Sequence, residues 1–409
     1  MPRLNPALLV VLGGVSAALH VGKLPTALPV LREAMGATLL EAGFLLSLVQ
    51  LAGMSLGLAV GLAADGLGLK RTMVTGLLVL SLASLLGGWA DGVGSLMLLR
   101  AFEGLGFLLA SMPAPSLIRR LVEPGRMRSA LGMWGAYMPF GTAVALLCGP
   151  FAIAQLTWQG WWRLLAVVSA IMASWLWRSL PPDPARVTQP RASAPQGWRR
   201  RLRETLLAPG PWLVALSFAM YSGQWLAVIG FLPSMYAQAG FDPGLAGLAT
   251  AAAALVNMVG NIAAGRLLER GVPAQNLLYA GFAVMGLGAL VAFAPSLTPA
   301  AAGTAPFLRY AAVVLFSMVG GLVPGTLFYL AVRLAPGEHA ISTTVGWMQQ
   351  WSAAGQFLGP PLVAFVATLA GGWGWSWVVT GACATVGLAL AAATGVLLRR
   401  VPAARGRQP

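Results

Sequence analysis

Charge is scarce in this chain. Only 9% of its 409 residues are Asp, Glu, Lys or Arg, whereas a soluble protein of this size carries about 25%. A large soluble helical protein is thereby set aside. Histidine is limited to His20 and His339, and the 11 acidic residues are scattered. That leaves no nucleophile–base pair, no paired carboxylates and no ligand cluster, so no catalytic residue, metal site or cofactor is expected and the chain is not read as an enzyme. The two cysteines, Cys148 and Cys383, each stand in an apolar run; a disulfide framework needs more of them at closer spacing. Lysine occurs twice, as Lys23 and Lys70, and arginine supplies the other basic residues.

Apolar sequence is what the chain has in excess. It is 58% hydrophobic, and runs of about 20 apolar residues, each long enough to cross a bilayer, recur from end to end. Inside lipid the backbone must satisfy its own hydrogen bonds, which leaves helices or a closed barrel. The runs are too long for barrel strands and lack period-two alternation, so the expected class is an all-α membrane protein with twelve transmembrane helices in two six-helix bundles. The first bundle is expected over residues 1–180, with spans near 7–31, 128–151 and 163–180 among its six, and the second over 210–398. Between them lies a Pro- and Arg-rich linker, 181–209, and a basic tail covers 399–409. The first apolar run shows no small-residue cleavage site and reads as the first span, not a removed signal peptide.

A net charge of +15 in a soluble protein would raise nucleic acid as a partner. Here the even-numbered connections and the tail hold Lys70, Arg71, Arg119, Arg120, Arg266, Arg270, Arg333, Arg399 and Arg400, along with the linker arginines. The odd-numbered connections hold little more than Arg32 and Arg163. The positive-inside rule accounts for this distribution and places both termini and the linker in the cytoplasm. Nucleic acid is therefore not an expected partner. The expected partners are the lipid bilayer and a small-molecule substrate, and the chain is read as a monomer.

Four residues break the apolar pattern. His20 and Lys23 are three apart in the first span, and Arg100 and Glu103 are three apart in the fourth, so each pair shares a helix face. A charge at the bilayer centre costs roughly 2.5–3.5 kcal/mol on insertion scales, so such residues usually face a water-filled pathway or one another. The expectation is a polar, net-positive cavity suited to a small anion. In the seventh span Tyr221, Gln224 and Trp225 also fall on one face.

A repeat is legible at a shift of about 210 residues. Arg100 aligns with Arg309, Pro124–Gly125 with Pro336–Gly337, and Gly149–Pro150 with Gly359–Pro360. Six plus six helices in parallel repeat resemble the major facilitator superfamily. The stretch Gly61-Leu-Ala-Ala-Asp65-Gly-Leu-Gly68-Leu-Lys70-Arg71 resembles that superfamily's signature between helices 2 and 3, although Gly66 and Leu69 occupy two usually basic positions. Arg100-Ala-Phe-Glu103-Gly104 resembles its helix 4 motif, with glutamate where glutamine is frequent. The glycine series of superfamily antiporters is incomplete on helix 5, where Ala145 precedes Gly149–Pro150. The fuller series, Gly346, Gly355, Gly359 and Pro360, lies on helix 11 and reads as close helix packing. Helices 1 to 4 also resemble the branch that includes cyanate and 2-nitroimidazole transporters.

The resemblance implies secondary transport by alternating access at a cell membrane, a bacterial inner membrane. It implies a cavity lined by helices 1, 4, 7 and 10, and a cytoplasmic gate at Gly61, Asp65, Gly68, Lys70 and Arg71. Together with the residues above, it makes Lys23, His20, Arg100, Tyr221, Gln224 and Trp225 the substrate-binding candidates, with Glu103 or His20 carrying a coupling proton. The competing expectation is export of a neutral or aromatic compound, with Arg100 and Glu103 serving only as structure.

Overall fold

The computed structural model describes residues 5–123, 130, 133–183, 197–294 and 305–400. Among these, eleven helices are long and apolar enough to cross a membrane. They are α1 (Pro6–Met35), α2 (Leu39–Val60), α3 (Leu69–Gly87), α4 (Val93–Leu121), the continuous Tyr137–Ser179, then α7 (Pro209–Gln238), α8 (Pro243–Glu269), α9 (Ala274–Phe293), α10 (Pro306–Arg333), α11 (Glu338–Leu369) and α12 (Trp373–Arg400). At 1.5 Å per residue, the 43 residues of Tyr137–Ser179 span about 65 Å, twice the hydrocarbon thickness. Thr157, at φ 64°, breaks that helix, and its two arms are α5 and α6. The described residues thus make twelve crossings, an even number, so Asn5 and Arg400 lie on one side, called here the terminal face. The separate spans expected at 128–151 and 163–180 are joined by a kink where a loop was expected.

Local chemistry sets the helix ends. α1 starts on the Asn5 side chain, which accepts from the Ala7 N–H at 3.0 Å, and Pro6 opens its first turn. It ends at Gly36, where φ is +66°, a conformation that favours glycine. Pro25 and Pro29 do not stop it, so α1 runs four residues past its expected end near 31. α2 opens on a capping box in which Thr38 and Glu41 each bond the other's backbone N–H. A short helix, Trp198–Leu207, lies in the linker.

α1 and α7 are buried along most of their length, whereas α12 is largely exposed to the surroundings that lipid would fill. Each bundle is therefore built around its first helix. The two bundles meet at the face opposite the termini. A methyl group on Gly43 of α2 would lie 2.9 Å from Pro361 Cα of α11, and one on Gly247 of α8 would lie 2.8 Å from the Leu146 carbonyl of α5. Small residues at these points let the backbones close. Deeper in, Gln50 of α2 donates to Gln356 of α11 at 3.0 Å, and the Leu58 N–H donates to the Gln350 side chain at 3.1 Å.

Candidate functional site

α1 and α4 bring the four isolated polar residues together. Lys23 Nζ lies 2.5 Å from Glu103 Oε1, and Arg100 Nη1 pairs with Glu103 Oε2. Lys23 and His20 are 0% exposed, and Arg100 and Glu103 are 1% exposed. Gly104 lets α4 lie close against α2, because a methyl there would sit 2.5 Å from the Val49 carbonyl.

Every ammonium proton of Lys23 has an acceptor. Besides Glu103 these are Ser84 Oγ at 2.8 Å and His20 Nδ1 at 3.3 Å. Ser84 in turn donates to the Trp162 carbonyl, and Nζ lies 4.4 Å from the centre of the Trp162 ring, a cation–π arrangement. On the far side of His20, Nε2 lies 2.9 Å from Ser169 Oγ, which is 3.1 Å from Ser16 Oγ. Arg100 donates from Nε to the Leu45 carbonyl and from Nη1 to the His20 carbonyl. Its Nη2 is buried without a hydrogen-bond partner among the described residues.

This placement corrects one expectation. His20 and Lys23 were expected to line an open cavity, but they are enclosed within the first bundle, against Ser84 of α3 and against Trp162 and Ser169 of α6. The polar face of α1 turns inward toward α3 and α6, outside the helices 1, 4, 7 and 10 expected to line the cavity, because the serines and tryptophan there supply acceptors and a ring face. Three charged side chains meet there, two cationic and one anionic, beside the His20 imidazole. Burial of such groups is tolerated only when they are paired and hydrogen-bonded.

The second bundle holds a network without formal charge. Tyr221 OH exchanges hydrogen bonds with the Asn257 amide of α8, at 3.1 and 2.9 Å. Asn257 also donates to the Ser317 carbonyl of α10 at 2.8 Å, and Trp225 Nε1 donates to Ser317 Oγ at 3.1 Å. Tyr221 and Trp225 therefore act together, as their spacing implied. Gln224 does not join them: its amide donates to the Met220 carbonyl of its own helix, and its Oε1 is buried without a hydrogen-bond partner among the described residues.

The family model described as Major Facilitator Superfamily matches residues 10–360. The chain belongs to that superfamily. It is 25% identical to a protein of Cupriavidus necator described as a probable sulfoacetate transporter, over 88% of this chain and 86% of that one. It is 36% identical to the puromycin resistance protein of Streptomyces alboniger, over 38% of this chain but only 31% of that longer protein. In fold it is similar to a bacterial homologue of the human lysosomal transporter Spinster in an inward-facing, unoccupied conformation. There the TM-score is 0.76 with 16% identity, covering 98% of this chain and 99% of the other. A D-xylose–proton symporter gives a TM-score of 0.73 with 17% identity, over 94% and 95% of the two chains. As a Major Facilitator Superfamily protein, the chain is a multi-pass membrane transporter and not an enzyme.

The superfamily signature between α2 and α3 divides in the structure. Gly61 and Asp65 belong to a helix that continues to Leu67, but their side chains lie outside the described residues. Gly68 has φ +92°, and a methyl there would meet Asp183 Oδ2 at 2.5 Å, so the position requires glycine on two counts. Asp183 accepts from the backbone N–H of Lys70 at 3.1 Å and of Arg71 at 3.0 Å, capping the start of α3. Arg120 approaches the same carboxylate at 3.7 Å. Lys70 Nζ donates to the Leu180 carbonyl at the end of α6, at 2.6 Å, where a cation suits the helix C-terminus. The described half of the signature thus ties α3 to α6 inside one bundle. Sequence reading missed Asp183, whose one local signal is its place directly after Pro181 and Pro182 at the end of a span.

Proposed function

We propose that this protein is a secondary transporter that moves a small organic or inorganic anion by alternating access, coupled to protons. The observation that carries this reading is the charge count in the first bundle: Lys23 and Arg100 face one carboxylate, Glu103, and Arg100 keeps one buried donor without a partner. Two cations in a low-dielectric interior repel each other, and an anion reaching Arg100 would complete the balance. Arg100 is then the direct contact. Lys23 contributes positive potential, His20 positions it through Nδ1, and Tyr221, Gln224 and Trp225 form the facing wall from the second bundle. Sulfoacetate, the compound in the name of the Cupriavidus relative, is an anion of the proposed class.

The terminal face is proposed to be cytoplasmic in a bacterial inner membrane, on the distribution of arginine and lysine. The two bundles are proposed as the units that rock, residues 1–180 and 210–398, with 181–209 between them and Gly61, Asp65, Gly68, Lys70 and Arg71 at their cytoplasmic side. A second reading, export of a neutral or aromatic compound, is favoured by the uncharged Tyr221–Trp225 network and by the puromycin relative.

A thermal-shift series with purified protein separates the two. Sulfoacetate and other small anions should raise the melting temperature of the wild type, and the rise should vanish in Arg100→Gln. Stabilisation by puromycin alone, unchanged in Arg100→Gln, would replace the anion reading with the second one.

A further inference from the structure

The buried hydrogen bonds around Lys23 do not stop at Glu103. They continue from Lys23 Nζ to His20 Nδ1, from His20 Nε2 to Ser169 Oγ, and from Ser169 to Ser16 Oγ, at 3.3, 2.9 and 3.1 Å. Ser16 lies seven residues before Lys23 on α1, about 10 Å nearer the terminal face at 1.5 Å per residue. Ser169 and His20 are 0% exposed and Ser16 is 4% exposed, so the chain of polar atoms crosses an otherwise apolar layer formed by Ala17, Val21 and Met73.

The geometry points to Lys23 as the group that gains and loses the coupling proton, with His20, Ser169 and Ser16 as its route to the terminal face. This rests on the proposed proton-coupled transport. The alternative carriers are disfavoured by charge balance. Protonating Glu103 would leave Lys23 and Arg100 as two buried cations with no counter-charge. Taking a proton from Lys23 instead leaves Arg100 and Glu103 as a neutral pair. Among the described residues, the charged or titratable groups facing Lys23 are His20 on its own helix and Arg100 and Glu103 of α4. α3 and α6 present Ser84, Ser169 and Trp162, which carry no charge, and Arg163 of α6 turns to the Gly88 carbonyl.

The transfer balances in protons. The Lys23 ammonium gives one proton to His20 Nδ1 and becomes an amine. His20 gives its Nε2 proton to Ser169 Oγ and stays neutral. Ser169 passes its hydroxyl proton to Ser16, and Ser16 passes its own to a water molecule that reaches it along α1 from the terminal side, so each hydroxyl still holds one hydrogen. The imidazole then returns to its Nε2–H tautomer before the next transfer.

The chain's two lysines make the test direct. Lysine labelled with carbon-13 at Cε gives two side-chain signals, and Lys70→Arg assigns them. The Lys23 signal should move from the ammonium to the amine position as the pH is raised, without any substrate present. After a pH jump, Ser169→Ala should slow its change by about tenfold or more without moving its midpoint. A Lys23 signal that stays ammonium well into alkaline solution would overturn the inference, as would an unchanged rate in Ser169→Ala. Since no substrate is involved, either result is independent of whether anions are transported.

Discussion

The two six-helix bundles repeat one another in sequence but hold different interiors. In the first, the first and fourth helices meet through Lys23, Glu103 and Arg100, all enclosed. In the second, the corresponding space between α7, α8 and α10 holds Tyr221, Asn257, Trp225 and Ser317, joined by uncharged groups. The arginine that the repeat places opposite Arg100, Arg309, is exposed in the first turn of α10, at the end away from the terminal face. The same scaffold therefore carries one half with a buried charged cluster and one half whose buried polar network is uncharged. The second bundle draws its cohesion from backbone approach: Gly223 and Gly355 bring α7 and α11 together, and a methyl on Gly223 would lie 2.6 Å from the Gly355 carbonyl.

The comparison is broken most severely by Glu103→Gln. Removing the one carboxylate leaves two buried cations uncompensated, and breaking such a pair costs about 3–5 kcal/mol. Thermal unfolding in detergent should show this loss, and Lys23→Met added to Glu103→Gln should recover part of it by removing one cation. In the second bundle the corresponding lesion is steric. Gly355→Val must push α11 off the Ala219 carbonyl of α7, an overpacking cost of about 1–3 kcal/mol, and no charge substitution elsewhere should rescue it. Tyr221→Phe removes both interhelical hydrogen bonds to Asn257, each worth about 0.6 kcal/mol on average in membranes, and should lower the melting temperature only slightly.

The smallest effect is expected outside both bundles. Glu204 of the linker helix bonds Arg200 at 2.7 Å and His339, in the first turn of α11, also at 2.7 Å. The Arg200 guanidinium, and then His339, hold its carboxyl below the usual carboxylate range. A lowered folded value means that the contact contributes fully above the ordinary carboxylate range and is lost as pH falls through the folded value. Hydrogen exchange of Trp198–Leu207 should accordingly quicken only in strong acid, and Glu204→Gln should show the faster rate already at neutral pH.

The twelve crossings were legible because apolar length and arginine placement are properties of the chain alone. The partnership of His20, Lys23, Arg100 and Glu103 was legible in part, since two pairs spaced three apart in apolar runs announce two polar helix faces. The direction of those faces was not legible. Helical periodicity fixes which residues share a face but not which neighbour that face meets. A serine such as Ser84 or Ser169 leaves almost no mark in a hydrophobic run. Asp183 was hidden for a related reason: it caps α3 from 113 positions away in the chain, where no local capping pattern can show it. The glycines of α11 were read correctly as packing residues, since Gly355 and Gly359 both press on the α7 backbone. Sequence could not separate Gln224 from Tyr221 and Trp225, because bonding to one's own helix is open to any residue on that face.

The central claim is that the polarised first bundle recognises an anion through Arg100. Uptake of radiolabelled sulfoacetate into proteoliposomes, for the wild type beside Arg100→Gln and Lys23→Gln, tests it most directly. The account predicts uptake by the wild type that is driven by an inward proton gradient, and its loss in both variants while their melting temperatures still report folded protein. Full anion uptake in both variants would contradict it.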